Sequence, residues 1–210
     1  MNHVVLLGDS IFANAAYVGS GPDVVTQLEK QLPPGWHASL LAVDGAVIAD
    51  IGQQLGDIPR DASHVVVSVG GNDALGYAAF LSEPSRSVGE SLAQLATVRE
   101  RFRCDYRGML EKVLRCGLPT TVCTIYEPRY PGDAERSRVH AVALCIINDS
   151  IIREASARGV PIIELRAVCA NDADFANAIE PSVRGGENIA AAISSAVTQR
   201  PGARTVIFTR

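Results

Sequence analysis

The chain has 210 residues, 47% of them hydrophobic and 20% charged, with a net charge of −4 and a pI near 5.6. Those values predict one globular domain over residues 1–210 and leave no basic footprint for nucleic acid. No run approaches the ~18 apolar residues of a membrane span, and Met1-Asn2-His3 leads into an apolar run with no secretory signal ahead of it, which predicts a cytoplasmic protein.

Val4-Val5-Leu6-Leu7 reads as a buried strand closed by Gly8, with Asp9 and Ser10 at its carboxyl end. A helix is predicted over Asp23–Leu32, then a weaker apolar run, Leu40-Leu41-Ala42-Val43, followed by Asp44-Gly45-Ala46. A helix at Ile48–Leu55 precedes the strand Val65–Val69, which runs into Gly70-Gly71-Asn72-Asp73. Helices at Val88–Arg115 and Ala134–Arg158 each end near a glycine, Gly117 or Gly159, that stops the helix before a strand. Those strands are Thr120–Ile125 and Val160–Glu164, and a last helix covers Arg184–Gln199. The alternation predicts a three-layer α/β/α fold around five mostly parallel strands in flavodoxin-like order. Thr205–Phe208 is a candidate short strand or surface segment.

Three strand ends carry complementary chemistry. Ser10 offers a nucleophile, while the Ser10 and Gly45 backbone N–H groups and the Asn72 amide offer oxyanion donors. Gly8-Asp9-Ser10, Gly45 and Gly70-Gly71-Asn72-Asp73, in that order, resemble three blocks of the SGNH, or GDSL-type, hydrolases. The resemblance implies an esterase or lipase that uses no cofactor or metal and takes a small-molecule ester, here of short or medium acyl chain.

The family's last block is Asp-x-x-His, and here the chain departs from it. Asn177 stands in the aspartate's place and Glu180 in the histidine's, ahead of Pro181-Ser182 and Gly185-Gly186. A carboxylate is a weak base at its ordinary pKa of about 4.3, but burial beside Ile179 and Pro181 raises it toward neutrality. Glu180 is therefore the expected base, in an arrangement similar to the serine–glutamate pair of sedolisin-type peptidases. Asp172 and Asp174 are candidates to orient it or share its proton. The alternative is a catalytically impaired ligand-binding domain of the same fold.

Of the four histidines, His3, His37 and His64 precede apolar runs. They fall at the amino ends of strands, roughly 16 Å from the serine edge, and are expected to be exposed. His140 falls early in a helix, where a solvated or capping side chain is expected. The arginines at 99, 101, 103 and 107 alternate with acidic residues and read as a solvated helix face. Five cysteines lack metal-like spacing and an even count, so reduced, mostly packing thiols are expected. Arg129-Tyr130-Pro131-Gly132-Asp133 is a turn-rich loop at the serine edge, placed to shape a substrate pocket. Gly8-Asp9-Ser10-Ile11 does not continue into the Gly-x-Gly-x-x-Gly of a dinucleotide site.

Overall fold

The computed structural model describes residues 2–198. Five strands form one sheet in the order β2-β1-β3-β4-β5: β1 (Asn2–Gly8), β2 (Trp36–Leu40), β3 (His64–Ser68), β4 (Thr120–Cys123) and β5 (Ile162–Ile163). Every pairing in it is parallel. This is the 2-1-3-4-5 order expected from the sequence, and it places the ends of β1 and β3 side by side.

Both faces are covered, which is why β1 and β3 run apolar without alternation over Val4–Leu7 and Val65–Val67. Val5, Leu7, Val65 and Val67 point into a core with Phe102, Tyr106 and Leu110 of α4 (Val88–Leu114) and Ile147 and Ile151 of α5 (Ala134–Ser156). Val4, Leu6 and Val66 point the other way, toward Val24 and Leu28 of α1 (Val24–Gln31) and Ile189 and Ile193 of α7 (Val183–Val197). Side-chain caps start these helices: Asp23, Ser87, Asp133 and Ser182 each accept a backbone N–H from the first turn.

Several expectations shift. The second strand is Trp36–Leu40, ending where the Leu40–Val43 run begins. As an edge strand it needs less apolar character, and the N–H groups of Leu41 and Ala42 both converge on the Leu6 carbonyl as the chain leaves the sheet. β4 and β5 are shorter than the runs that predict them. The helix expected over Ile48–Leu55 is a broken one: α2 (Ile51–Gln54) lies between 3-10 turns at Ile48–Asp50 and Leu55–Asp57. Two short helices were not anticipated, α3 (Gly71–Tyr77) and α6 (Leu165–Val168). Thr205–Phe208 and Gln199 lie outside the described residues.

The arginine cluster is only partly a solvated face. Arg103 and Arg107 reach from α4 to Glu154 of α5, which is buried and also holds Arg158. The thiols are less buried than expected: Cys123 and Cys169 pack inside, while Cys104, Cys116 and Cys145 are exposed.

Candidate active site

Ser10 follows the carboxyl end of β1, in a turn shaped by close backbone approach. A Cβ on Gly8 would lie 1.8 Å from the Ser68 carbonyl oxygen, so only glycine lets β1 and β3 meet there. The Gln54 side chain clamps the same residue, accepting from the Gly8 N–H at 2.8 Å and donating to its carbonyl at 2.9 Å. The Asp9 N–H donates to Ser68, and the Asp9 carbonyl accepts from Phe12 and Ala13. Ser10 is thereby held in a tight turn, its side chain almost fully enclosed.

Its hydroxyl donates to Glu180 Oε1 at 3.0 Å. The segment carrying Glu180 is fastened at several points. Asn177 Oδ1 accepts from the N–H groups of Ile179 and Glu180, both at 2.9 Å. The Tyr126 hydroxyl donates to the Ile179 carbonyl at 2.6 Å, and the Arg129 N–H donates to the Ala178 carbonyl at 2.7 Å. Ser182, Asp174 and Gly185 anchor the far side. A Cβ on Gly185 would lie 2.0 Å from the Asp174 carbonyl oxygen, so the glycine lets α7 seat against that turn.

Glu180 Oε2 is buried and has no hydrogen-bond partner among the described residues. Burial pushes the Glu180 carboxyl up to about 7; the Ser10 bond opposes this and the Asp44 charge adds to it. Asp9 is fully buried one residue from the serine. Burial lifts it too to about 7, against the bond from the Ile11 N–H and with help from the Glu180 and Asp73 charges. Two carboxyls raised toward neutrality thus line the cleft that holds Ser10, and of the two only Glu180 bonds its hydroxyl.

Asn72 lies in the first turn of α3 and donates one amide N–H to the Ala46 carbonyl at 2.9 Å. That bond ties the Gly45 turn to the end of β3, as does the Ile48 N–H on Asp73 Oδ2 at 3.0 Å. Ser10, Asn72 and Glu180 line one cleft, whose walls are otherwise mainly apolar side chains of α3, α4 and α5. Gly45 is brought to the neighbouring turn and is exposed, outside the cleft lining; its N–H has no partner among the described residues.

The other candidates fall elsewhere. His3 is buried, contrary to expectation, because Asp61, Ser39 and Ser63 close around it. His37 and His64 are half-buried. His140 is neither a cap nor fully solvated: it lines the cleft wall, with Nδ1 3.1 Å from the Tyr130 hydroxyl, and burial and Arg136 hold its imidazole below its ordinary pKa. Asp172 is exposed beside Arg129, and Asp174 is spent on Asn171, Asn188 and Arg184, so neither touches Glu180. Arg129 and Tyr130, from the loop flagged as pocket-shaping, act on the Glu180 segment and on His140. Gln54 and Tyr126 gave no sequence signal, since their partners are backbone atoms far along the chain. Asp9 was visible only as part of a turn motif.

The 2-1-3-4-5 parallel sheet thus carries Ser10 and Glu180 together at its carboxyl edge, where open α/β sheets bind their ligands. The chain belongs to the GDSL-like lipase/acylhydrolase family, whose model matches residues 6–187, and is with it a carboxylic ester hydrolase. No curated protein matches the sequence. Among solved structures, the lipase Lip_vut3 from a goat rumen metagenome shares the fold with a TM-score of 0.71 at 18% identity, covering 93% of this chain and 97% of that one. The extracellular lipase of Streptomyces rimosus has a TM-score of 0.66 at 17% identity, over 93% and 100% of the two chains. Est24, a carbohydrate acetylesterase from Sinorhizobium meliloti, has 0.65 at 12% identity, over 95% and 99%. No helix among the described residues is long and apolar enough to cross a membrane.

Proposed function

We propose that the protein is a serine esterase for carboxylic esters of short or medium acyl chain, with Ser10 as nucleophile and Glu180 as base. The observation that carries this reading is the 3.0 Å hydrogen bond from Ser10 Oγ to a buried Glu180 oxygen at the cleft. A carboxylate raised to about 7 is half ionised at neutral pH and basic enough to take a serine proton.

Ser10 Oγ attacks the ester carbonyl as its proton passes to Glu180. The oxyanion is held by the Ser10 and Gly45 N–H groups and by the Asn72 amide, which keeps a second N–H beyond the one given to Ala46. Collapse breaks the bond to the alcohol, which leaves with the proton from Glu180. Water then attacks the acyl-serine with Glu180 again as base, and the acid is released. The acyl chain lies along Leu75, Phe80, Leu81, Val98, Leu144 and Ile147. Asn177 does not relay charge as a triad aspartate does; it fixes the backbone that aims Glu180.

Hydrolysis of p-nitrophenyl acetate and butyrate from pH 5 to 9, paired with Ser10→Ala, tests the reading. Turnover that disappears in Ser10→Ala supports it. Turnover that survives the substitution removes Ser10 as nucleophile. None above the Ser10→Ala background, on a folded sample, favours a binding domain of the same fold.

A further inference from the structure

We infer that His3, His37 and Asp61 form a site for one divalent transition-metal ion, with Zn²⁺ the natural occupant, at the end of the sheet opposite Ser10. The parallel register of β1 and β2 sets His3 directly beside His37, which puts both imidazoles on one face of adjacent strands. Their rings stack with centroids 4.0 Å apart. Asp61 arrives from the segment before β3, drawn in where the Ser63 N–H donates to the His3 carbonyl.

Asp61 Oδ1 lies 3.2 Å from His3 Nδ1, and Oδ2 lies 3.6 Å from His37 Nε2. With Zn–N and Zn–O bonds of about 2.0–2.1 Å, two ligand atoms of a tetrahedral ion sit about 3.3–3.4 Å apart. Each imidazole nitrogen is thus within a few tenths of an ångström of that edge from one carboxylate oxygen, and one ligand atom from each of the three residues lies within 4.8 Å of the others.

The surroundings fit a ligand set. His3 Nε2 is 2.8 Å from Ser39 Oγ, two residues beyond His37 on β2. A hydrogen bond on the far ring nitrogen is what orients a metal-bound imidazole and leaves the near one free to ligate. His3 is buried, His37 half-exposed and Asp61 exposed, so an ion can enter from solvent and keep a water in its fourth position. Coordination needs the His37 ring to turn out of the stack, while His3 stays where Ser39 holds it. Two imidazoles and one carboxylate favour Zn²⁺, Co²⁺, Ni²⁺ or Cu²⁺ over Mg²⁺ or Ca²⁺.

The bound ion would tie the edge strand β2 to β1 and to the approach of β3. It would stabilise the sheet without touching the Ser10 chemistry, which lies past the far end of β1, itself about 16 Å from His3. The site draws on histidines that the ester-hydrolase reading leaves unused.

The test uses the full chain, stripped with chelator and with its thiols alkylated, because Cys104, Cys116 and Cys145 are exposed. Zn²⁺ is titrated against a chromophoric chelator, and thermal melts are recorded with and without the ion. One Zn²⁺ per chain is expected. At a hundredfold excess over Kd the melting temperature should rise by roughly 5–10 °C. His37→Ala and Asp61→Asn, both at solvent-reached positions, should each weaken binding at least about tenfold and abolish the shift, whereas His64→Ala should bind as wild type does. Their melts in chelator verify that the variants fold. Absence of Zn²⁺ binding by the wild type, or equal binding by both variants, overturns the site.

Discussion

Ser10 Oγ and Glu180 Oε1 are 3.0 Å apart, joined across 170 residues of chain. The bond aligns the hydroxyl proton with the acceptor that takes it in the mechanism proposed above. Glu180→Gln keeps the shape and a hydrogen bond but removes the base. It should lower kcat by at least about a thousandfold with little change in KM, and adding Ser10→Ala should lower it no further. His140→Ala should retain turnover, since His140 engages Tyr130 and not the serine. Steady-state kinetics of the three variants check this, and the opposite ranking would transfer the base role to His140.

The raised pKa makes activity and stability run in opposite directions with pH. Only ionised Glu180 can accept the proton, so kcat/KM should climb through about 7. At pH 5 it should be down by about a hundredfold, and the rising limb should be unchanged in His140→Ala. For stability, the folded carboxyl binds its proton more tightly than the unfolded one, whose pKa lies near 4.5. Its contribution is therefore full below about 4.5 and lost as pH rises through about 7. Asp9 adds to this with the same sign. Melting temperature should fall by a few degrees across that window, and Glu180→Gln should reduce the fall. A melt profile that stays unchanged in the variant would count against the shift.

Much of this was legible in the chain because it is local. Val4–Leu7 and Val65–Val69, the second broken only by Ser68, are apolar runs ended by glycine, which is how buried parallel strands read, and they place Ser10 and Asn72. Glu180 was reachable through the segment around it, Pro181-Ser182 leading into α7. What escaped depends on partners distant in sequence. Trp36–Leu40 carries a half-polar edge pattern and is a strand only because β1 pairs with it. Arg103 and Arg107 look like a solvated stripe until α5 brings Glu154 beneath them. Asn177 looks like a lost aspartate until its side chain is seen bonded to the backbone of Ile179 and Glu180.

Asn72 lines the cleft, and in the proposed mechanism its amide meets a full negative charge only once the carbonyl becomes tetrahedral. Asn72→Ala should therefore reduce kcat by about 10²–10³ while KM moves little. The Ala46 bond it also makes is partly buried and worth about 1 kcal/mol. A drop of roughly 2–4 °C in melting temperature should accompany the substitution. If turnover equals wild type, the amide does not hold the oxyanion.

Glu154 offers a prediction at the other pH extreme, away from the serine. It is buried between α4 and α5 and accepts from Arg103 Nε at 2.6 Å, Arg107 Nε at 3.0 Å and Arg158 Nη1 at 2.7 Å. Burial alone would raise its carboxyl, but the bonds from Arg107, Arg103 and Arg158 override this and hold it near 2. The folded value lies below the unfolded one, so its stabilisation is present above about 4.5 and lost as pH falls toward 2. The three guanidinium groups remain partly hydrated, so removing the charge should destabilise by about 2–3 kcal/mol, less than a fully enclosed pair would. Glu154→Gln should melt roughly 5–10 °C lower at pH 7, and the gap to wild type should close as pH is lowered toward 2.5. Calorimetry over that range checks it. A gap that stays constant with pH would mean that Glu154 acts through packing and not through its charge.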